Sequence, residues 1–122
     1  MFSRFLWVES CGQCPACKRG SAEITARLEQ IEGGNGTDDD IAEIASWLDK
    51  VTDGNRCYLA VEEQVLVASI VRAFADEFEE HLRLGRCPRQ RDIPFPKLVD
   101  LADGTAVYDP RVPFKQPDWT YA

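Results

Sequence analysis

Three cysteines at three-residue intervals, Cys11, Cys14 and Cys17 in ESCGQCPACKRG (9–20), constrain this chain more than any other feature. Thiols this close in sequence are bridged, metal-bound or free, and each state demands a different surrounding fold. The chain has five cysteines, and a secreted disulfide scaffold normally pairs all of its own. The opening MFSRFLWVES carries an apolar patch too short for a signal peptide, with no small-residue cleavage site after it. The reading is therefore a cytoplasmic protein with reduced, ligating thiols.

Where those thiols sit depends on the helices around them. A helix from Pro15 or Cys17 to about Glu32 places Ile24, Leu28 and Ile31 on one stripe, and GGNG (33–36) ends it. Thr37 or Asp38 caps the next helix, whose stripe is Ile41, Ile44, Ala45, Leu48 and Val51. Asp53-Gly54-Asn55 closes it, and Cys57 follows in the loop. A long third helix spans roughly 60 to 84, lined by Val61, Val65, Ala68, Phe74, Ala75, Phe78 and Leu82 and widened by Leu66, Ile70 and Val71. SRFLWV (3–8) is a strand end or a short helix. Beyond Gly85 six prolines forbid long helices, and Asp-Gly inside KLVDLADGTAVYD (97–109) reads as a β-hairpin. Phe114, Trp119 and Tyr121 are expected to pin the tail onto an apolar surface. The fold class is mainly α. A small bundle of three to four helices over residues 1–86 carries the Cys-rich loop, and a Pro-rich tail with a possible hairpin follows over 87–122.

The full cysteine pattern is C-x2-C-x2-C-x39-C. Helices one and two form an antiparallel pair, so Cys17 at the start of the first and Cys57 after the end of the second lie at the same end. Four thiolates suit zinc or an iron–sulfur cluster. Zinc sites usually take two CxxC-like knuckles, whereas three closely spaced cysteines plus a distant fourth favour the corners of a [4Fe–4S] cubane. Zinc and unliganded thiols stay open as alternatives. Gly12 and Gly20 let backbone amides approach the sulfurs, and Lys18, Arg19 and Arg56 lie next to ligand positions.

Charge narrows the function. The net charge is −7, with the acidic excess between residues 21 and 84 and a cationic excess around the first cysteines. Nucleic-acid binding wants a basic face, and this domain repels phosphate. No apolar run approaches the roughly 18 residues of a membrane span, so direct membrane insertion is not expected.

The string ESCGQCPACKRG, with RCYLAVEEQVLVASIVRAFADEFEEHL (56–82) after it, resembles the iron–sulfur-binding region of the NADH-oxidising flavoprotein subunit of NADH:quinone oxidoreductase (respiratory complex I). It is similar too to flavoprotein subunits of NAD-reducing hydrogenases and NAD-dependent formate dehydrogenases. The resemblance covers residues 3–86. It implies a helical bundle binding one [4Fe–4S] cluster through Cys11, Cys14, Cys17 and Cys57. It further implies electrons arriving from a flavin and leaving to further iron–sulfur centres. FMN and NADH would then sit on a partner domain or chain, since no glycine-rich nucleotide loop occurs here. The implied partners are that flavoprotein domain or subunit and other iron–sulfur subunits, in the cytoplasm or peripheral to a membrane complex. The chain, a fragment of a longer subunit or a separate module, is not expected to oxidise NADH alone. Two details qualify the likeness. The family usually places Pro directly before the third cysteine, where this chain has Ala16 preceded by Pro15. The tail from Arg89 resembles extensions on some actinobacterial-type members. The alternative from another class is a zinc-stabilised helical scaffold without a redox role.

Other residues read more plainly. Cys87 is a free thiol, and His81 a solvent-facing residue favourable at a helix C-terminus. Asp76, Glu77, Glu79 and Glu80 form a solvated helix face, with docking to a basic partner as the alternative. Trp47 lies off the main stripe of its helix.

Overall fold

The computed structural model describes residues 1–89, 97–110 and 115. The helices are α1 (Phe2–Glu9), α2 (Pro15–Glu32), α3 (Asp38–Leu48), α4 (Leu59–Ala73) and α5 (Ala75–Leu84). The strands β1 (Leu98–Ala102) and β2 (Thr105–Tyr108) follow.

The frame is the α2–α3 pair. Pro15 occupies the first turn of α2, where its missing N–H leaves no bond unmade and its ring presets φ. Three aspartates, Asp38 to Asp40, open α3 and meet its positive end. The Asp40 carboxylate accepts from the Thr37 N–H at 2.8 Å and from the Thr37 hydroxyl at 3.1 Å. The turn between them is tight. Gly34 has φ +80, and a Cβ there would collide with the carbonyl of Gly85 at the end of α5. The helices run antiparallel, so Val51 beyond α3 comes back to Gly20 near the start of α2. A Cβ on Gly20 would lie 2.9 Å from Val51 Cγ2.

Ile24, Ile44 and Val51 are fully buried between these helices, with Ile31, Leu48, Ala60 and Val67 around them. Leu28, Ile41, Phe78 and Leu82 pack against this core. The stripe expected on α2 is thus the observed one. On α3 the expected stripe holds at Ile41, Ile44, Leu48 and Val51, while Ala45 is exposed. SRFLWV forms a helix, α1, which packs on α2 and α4.

The expected long third helix is two helices. At Phe74 the backbone leaves helical geometry, with φ −119 and ψ 30, and α5 starts again at Ala75. On either side of the break the packing differs: α4 lies on α1, α2 and α3, whereas α5 lies on α2. The buried face also differs from the expected one. Val65 is 62% exposed, Phe74 is 51% exposed and Ala75 is exposed, whereas Ala60, Glu63 and Val67 face the core. The expected stripe leaves out Glu63, which is fully buried, and so lies displaced around the helix.

The hairpin forms where it was expected. Leu98 pairs with Tyr108 and Ala102 with Thr105, with an irregularity between Leu98 and Asp100. Its two loop residues, Asp103 and Gly104, have φ 49 and 79 and match a type I′ turn. Two lysines tie this segment back to the cysteine end. Lys97 Nζ meets Glu9 Oε1 at 2.6 Å, and Lys115 Nζ donates to the Ser10 carbonyl at 2.6 Å. Phe114, Trp119 and Tyr121 lie outside the described residues. Among the described residues, no helix is long and apolar enough to cross a membrane.

Candidate metal centre

Each cysteine is set by a local device. Gly12, at φ 80, turns the chain between Cys11 and Cys14. Cys14 is the extended N-cap residue of α2, and its carbonyl accepts from the Lys18 N–H at 2.9 Å. Cys17 stands in the first turn, where unpaired helix amides and the helix dipole favour negative charge. Its carbonyl accepts from the buried Ser21 hydroxyl at 2.8 Å. Cys57 lies just before α4, and Asn55 Nδ2 donates to its carbonyl at 2.9 Å.

The four thiols differ in exposure. Cys14 and Cys17 are buried, Cys11 is half-buried and Cys57 is exposed. All are free. They share one neighbourhood nonetheless. Burial pushes the Cys17 thiol up to about 11, and the charges of Cys14, Cys57, Cys11 and Glu63 add to the push. So the fourth cysteine reaches the end of the bundle where the first three stand. Ionised together, these thiols would repel one another and would need positive charge between them, which iron or zinc supplies. Among the described residues, no three Cys, His, Asp or Glu side chains are gathered closely enough for one metal ion.

Cations lie close to the cysteines in sequence, at Lys18, Arg19 and Arg56. The Arg19 guanidinium lies 5.3 Å from the centre of the Trp47 ring, and Lys50 Nζ lies 5.6 Å from it. Trp47, partly buried, thereby holds a charge two positions after Cys17. Arg56 is exposed beside Cys57. Cys87 is half-buried beyond α5 and is not among the groups acting on Cys17. His81 sits in the last turn of α5, its Nδ1 2.6 Å from the Glu77 carbonyl. The acidic face of α5 is exposed at Asp76, Glu77 and Glu79, and Arg89 bridges it at Glu80 (2.6 Å) and Glu77 (3.5 Å).

One residue at this end was missed by sequence reasoning. Glu63 is completely buried, and its Oε1 accepts from the Ser3 hydroxyl at 2.5 Å. The available signal was its place on α4, three residues after buried Ala60 and four before buried Val67.

Residues 1–81 match the family described as the NADH-ubiquinone oxidoreductase-F iron-sulfur binding region. The chain belongs to this family. Members of this family are [4Fe–4S] proteins, and the cysteine end just described is where this chain offers thiols in number. Over 87 residues the chain is 30% identical to the F subunit of the NADH-quinone oxidoreductase of Mycobacterium tuberculosis, covering 71% of this chain and 20% of that protein. Its identity to the corresponding protein of Streptomyces coelicolor is 29%, covering 71% of this chain and 19% of the relative. The NADP-reducing hydrogenase subunit HndC of Solidesulfovibrio fructosivorans is 31% identical, over 71% of this chain and 18% of that subunit. The chain thus spans about a fifth of the length of the curated relatives it matches. Membership makes it an iron–sulfur electron-transfer region of the NADH oxidoreductase type.

Proposed function

We propose that Cys11, Cys14, Cys17 and Cys57 ligate one [4Fe–4S] cluster, and that residues 1–86 relay single electrons through it. The donor would be a flavin on another domain or chain of an NADH-linked oxidoreductase, and the acceptors further iron–sulfur centres. Residues 87–122 form the tail of this unit. The observation that carries the reading is the match of residues 1–81 to an iron–sulfur binding region, with all four of these cysteines inside it.

Fit to the cluster rests on spacing. Three closely spaced cysteines lead into and open α2 and a fourth precedes α4, a three-plus-one split that suits the corners of a cubane better than the paired knuckles usual for zinc. This favours the cluster over the zinc scaffold. When bound, such a cluster accepts and donates one electron at a time.

The chain's own residues would tune that step. Burial of Cys14 and Cys17 keeps water from one side of the site, which bears directly on a cluster's potential. The start of α2 would favour negative charge at Cys17, against the burial that pushes that thiol up. With all four ligand positions taken by cysteine, no position is left for substrate, so the role is transfer rather than catalysis. The partners follow: a flavoprotein domain or subunit and other iron–sulfur subunits, with this chain peripheral to any membrane part.

Anaerobic purification followed by iron and sulfide analysis tests the proposal. Near-equal iron and sulfide, with a paramagnetic signal on reduction, is the expected result. C57S should lose most of the iron and the visible absorbance while C87S keeps both. One zinc per chain with no sulfide would overturn the reading in favour of the scaffold.

A further inference from the structure

The β1–β2 hairpin lies beyond residues 1–81, which match the family, and no task has been assigned to it. Every residue of both strands is exposed. Residues paired across strands share a face, so Leu98, Leu101, Ala106 and Tyr108 form one apolar face open to solvent. A lone two-stranded hairpin is marginal in water, and stability needs three or more strands with an apolar face or a helix beneath. Among the described residues, this sheet has two strands.

The two edges of the hairpin differ. The Asp109 N–H donates inward to the Lys97 carbonyl at 2.9 Å. Bonding direction alternates along an antiparallel strand, so Val107 and Thr105 also turn their backbone groups toward β1. Ala106 and Tyr108 therefore aim theirs outward, where they have no partner among the described residues. β1 blocks its own outer edge. The Leu101 N–H, outward by the same alternation, is already taken by Asp100 Oδ1 at 2.7 Å. Asp100 adds a charge beside it, and the irregularity between Leu98 and Asp100 breaks the regular edge. β2 has no such guard. Thr105 to Tyr108 carry no charge, proline, glycine or irregularity.

We propose that the β2 edge is a self-association site, to which β2 of a second copy of this chain adds antiparallel across a two-fold axis at Val107. The edge is self-complementary. Its two outward residues flank Val107, so the axis sets Ala106 of each copy against Tyr108 of the other, and each pair makes both of its backbone bonds. A large ring then lies beside a small side chain, and the two Val107 side chains face each other. Asp109 of one copy stands opposite Thr105 of the other, so no two carboxylates meet. Charge points to the same place: the chain carries −7, its copies repel over most of the surface, and this edge is uncharged. Pairing joins two hairpins into one four-stranded sheet with a continuous apolar face, which meets the requirement that one hairpin misses. The contact is small, so the dimer forms at high protein concentration and dissociates on dilution. This inference is independent of what the cysteines bind.

Sedimentation velocity of the full chain under reducing conditions, over a wide range of concentration, tests it. The expected result is a reversible shift from monomer to dimer. Hydrogen exchange should slow at the Ala106 and Tyr108 amides as concentration rises, while Thr105 and Val107 stay unchanged. A106P removes an outward N–H and leaves the inward bonds of the hairpin in place, so it should remain monomeric. V107E sets two carboxylates face to face and should weaken dimerisation about tenfold or more. V99E, with the same charge on the guarded strand, should dimerise like wild type. A dimer that survives both A106P and V107E, equal weakening by V99E and V107E, or concentration-dependent protection elsewhere in the chain overturns the inference. A monomer at every concentration overturns it too, and leaves the edge to a strand of a different protein.

Discussion

Gly20 and Glu63 show how single residues shape the cysteine end in opposite ways. Gly20 lies inside a helix, where alanine normally stabilises by about 1 kcal/mol. Here the space belongs to Val51, itself fully buried, with Cγ2 2.9 Å and Cβ 3.1 Å from where an alanine methyl would stand. G20A should therefore destabilise the fold by about 1–3 kcal/mol, measured by chemical denaturation against wild type. Glu63 has a folded-state pKa raised from 4.5 to about 7. The folded state thus holds a proton that the unfolded chain has released. Its contribution is complete below pH 4.5, declines between pH 4.5 and 7, and is lost above that. The loss is on the order of 3 kcal/mol. Thermal unfolding should show wild type falling relative to E63Q as pH rises through this window, and parallel curves would refute the linkage. The cysteines were legible in the sequence because ligation depends on residue type and spacing. Glu63 was not, because an acid on a helix gives no sign of burial until the neighbouring faces are known.

At the level of elements, local chemistry predicted α2, α3 and the hairpin well. Pro15, Thr37, Asp40 and the Asp103-Gly104 turn act over a few residues, so their signals lie within a short window of sequence. Asp40 also reaches across to α2, with Arg27 Nη1 3.4 Å away. D40A removes the acceptor for the Thr37 N–H and the Arg27 partner together, at an expected cost of about 1–3 kcal/mol. D40N, which keeps one acceptor oxygen, should lose less, and denaturant midpoints of the two variants would check the order. The break at Phe74 was illegible for the opposite reason. No Pro or Gly marks it, and it falls where packing on α1, α2 and α3 gives way to packing on α2 alone. Long-range packing marks that bend, and a periodicity count along one helix cannot register it.

Across the whole molecule, Cys14 and Cys17 belong to the same buried cluster as Ile24, Ile31 and Ile44 but stand at one end of it. Ile31 and Leu28 lie toward the GGNG turn, whereas Cys14 and Cys17 lie at the opposite end. Cluster removal should therefore loosen one end of the bundle first. Hydrogen exchange is expected to quicken at residues 11–20 and 55–60 while the amides of 24–31 and 41–45 remain protected. Uniform loss of protection would show that the cluster holds the entire bundle.

The α2–α3 turn, pressed against Gly85 and remote from the sulfurs, also divides the proposed ligands unequally between two stretches of chain. A cut in that turn leaves three cysteines on one piece and the fourth on the other. Neither piece alone offers a complete ligand set, so colour would return only when the two halves find each other. The bundle is in that sense a split reporter of its own assembly.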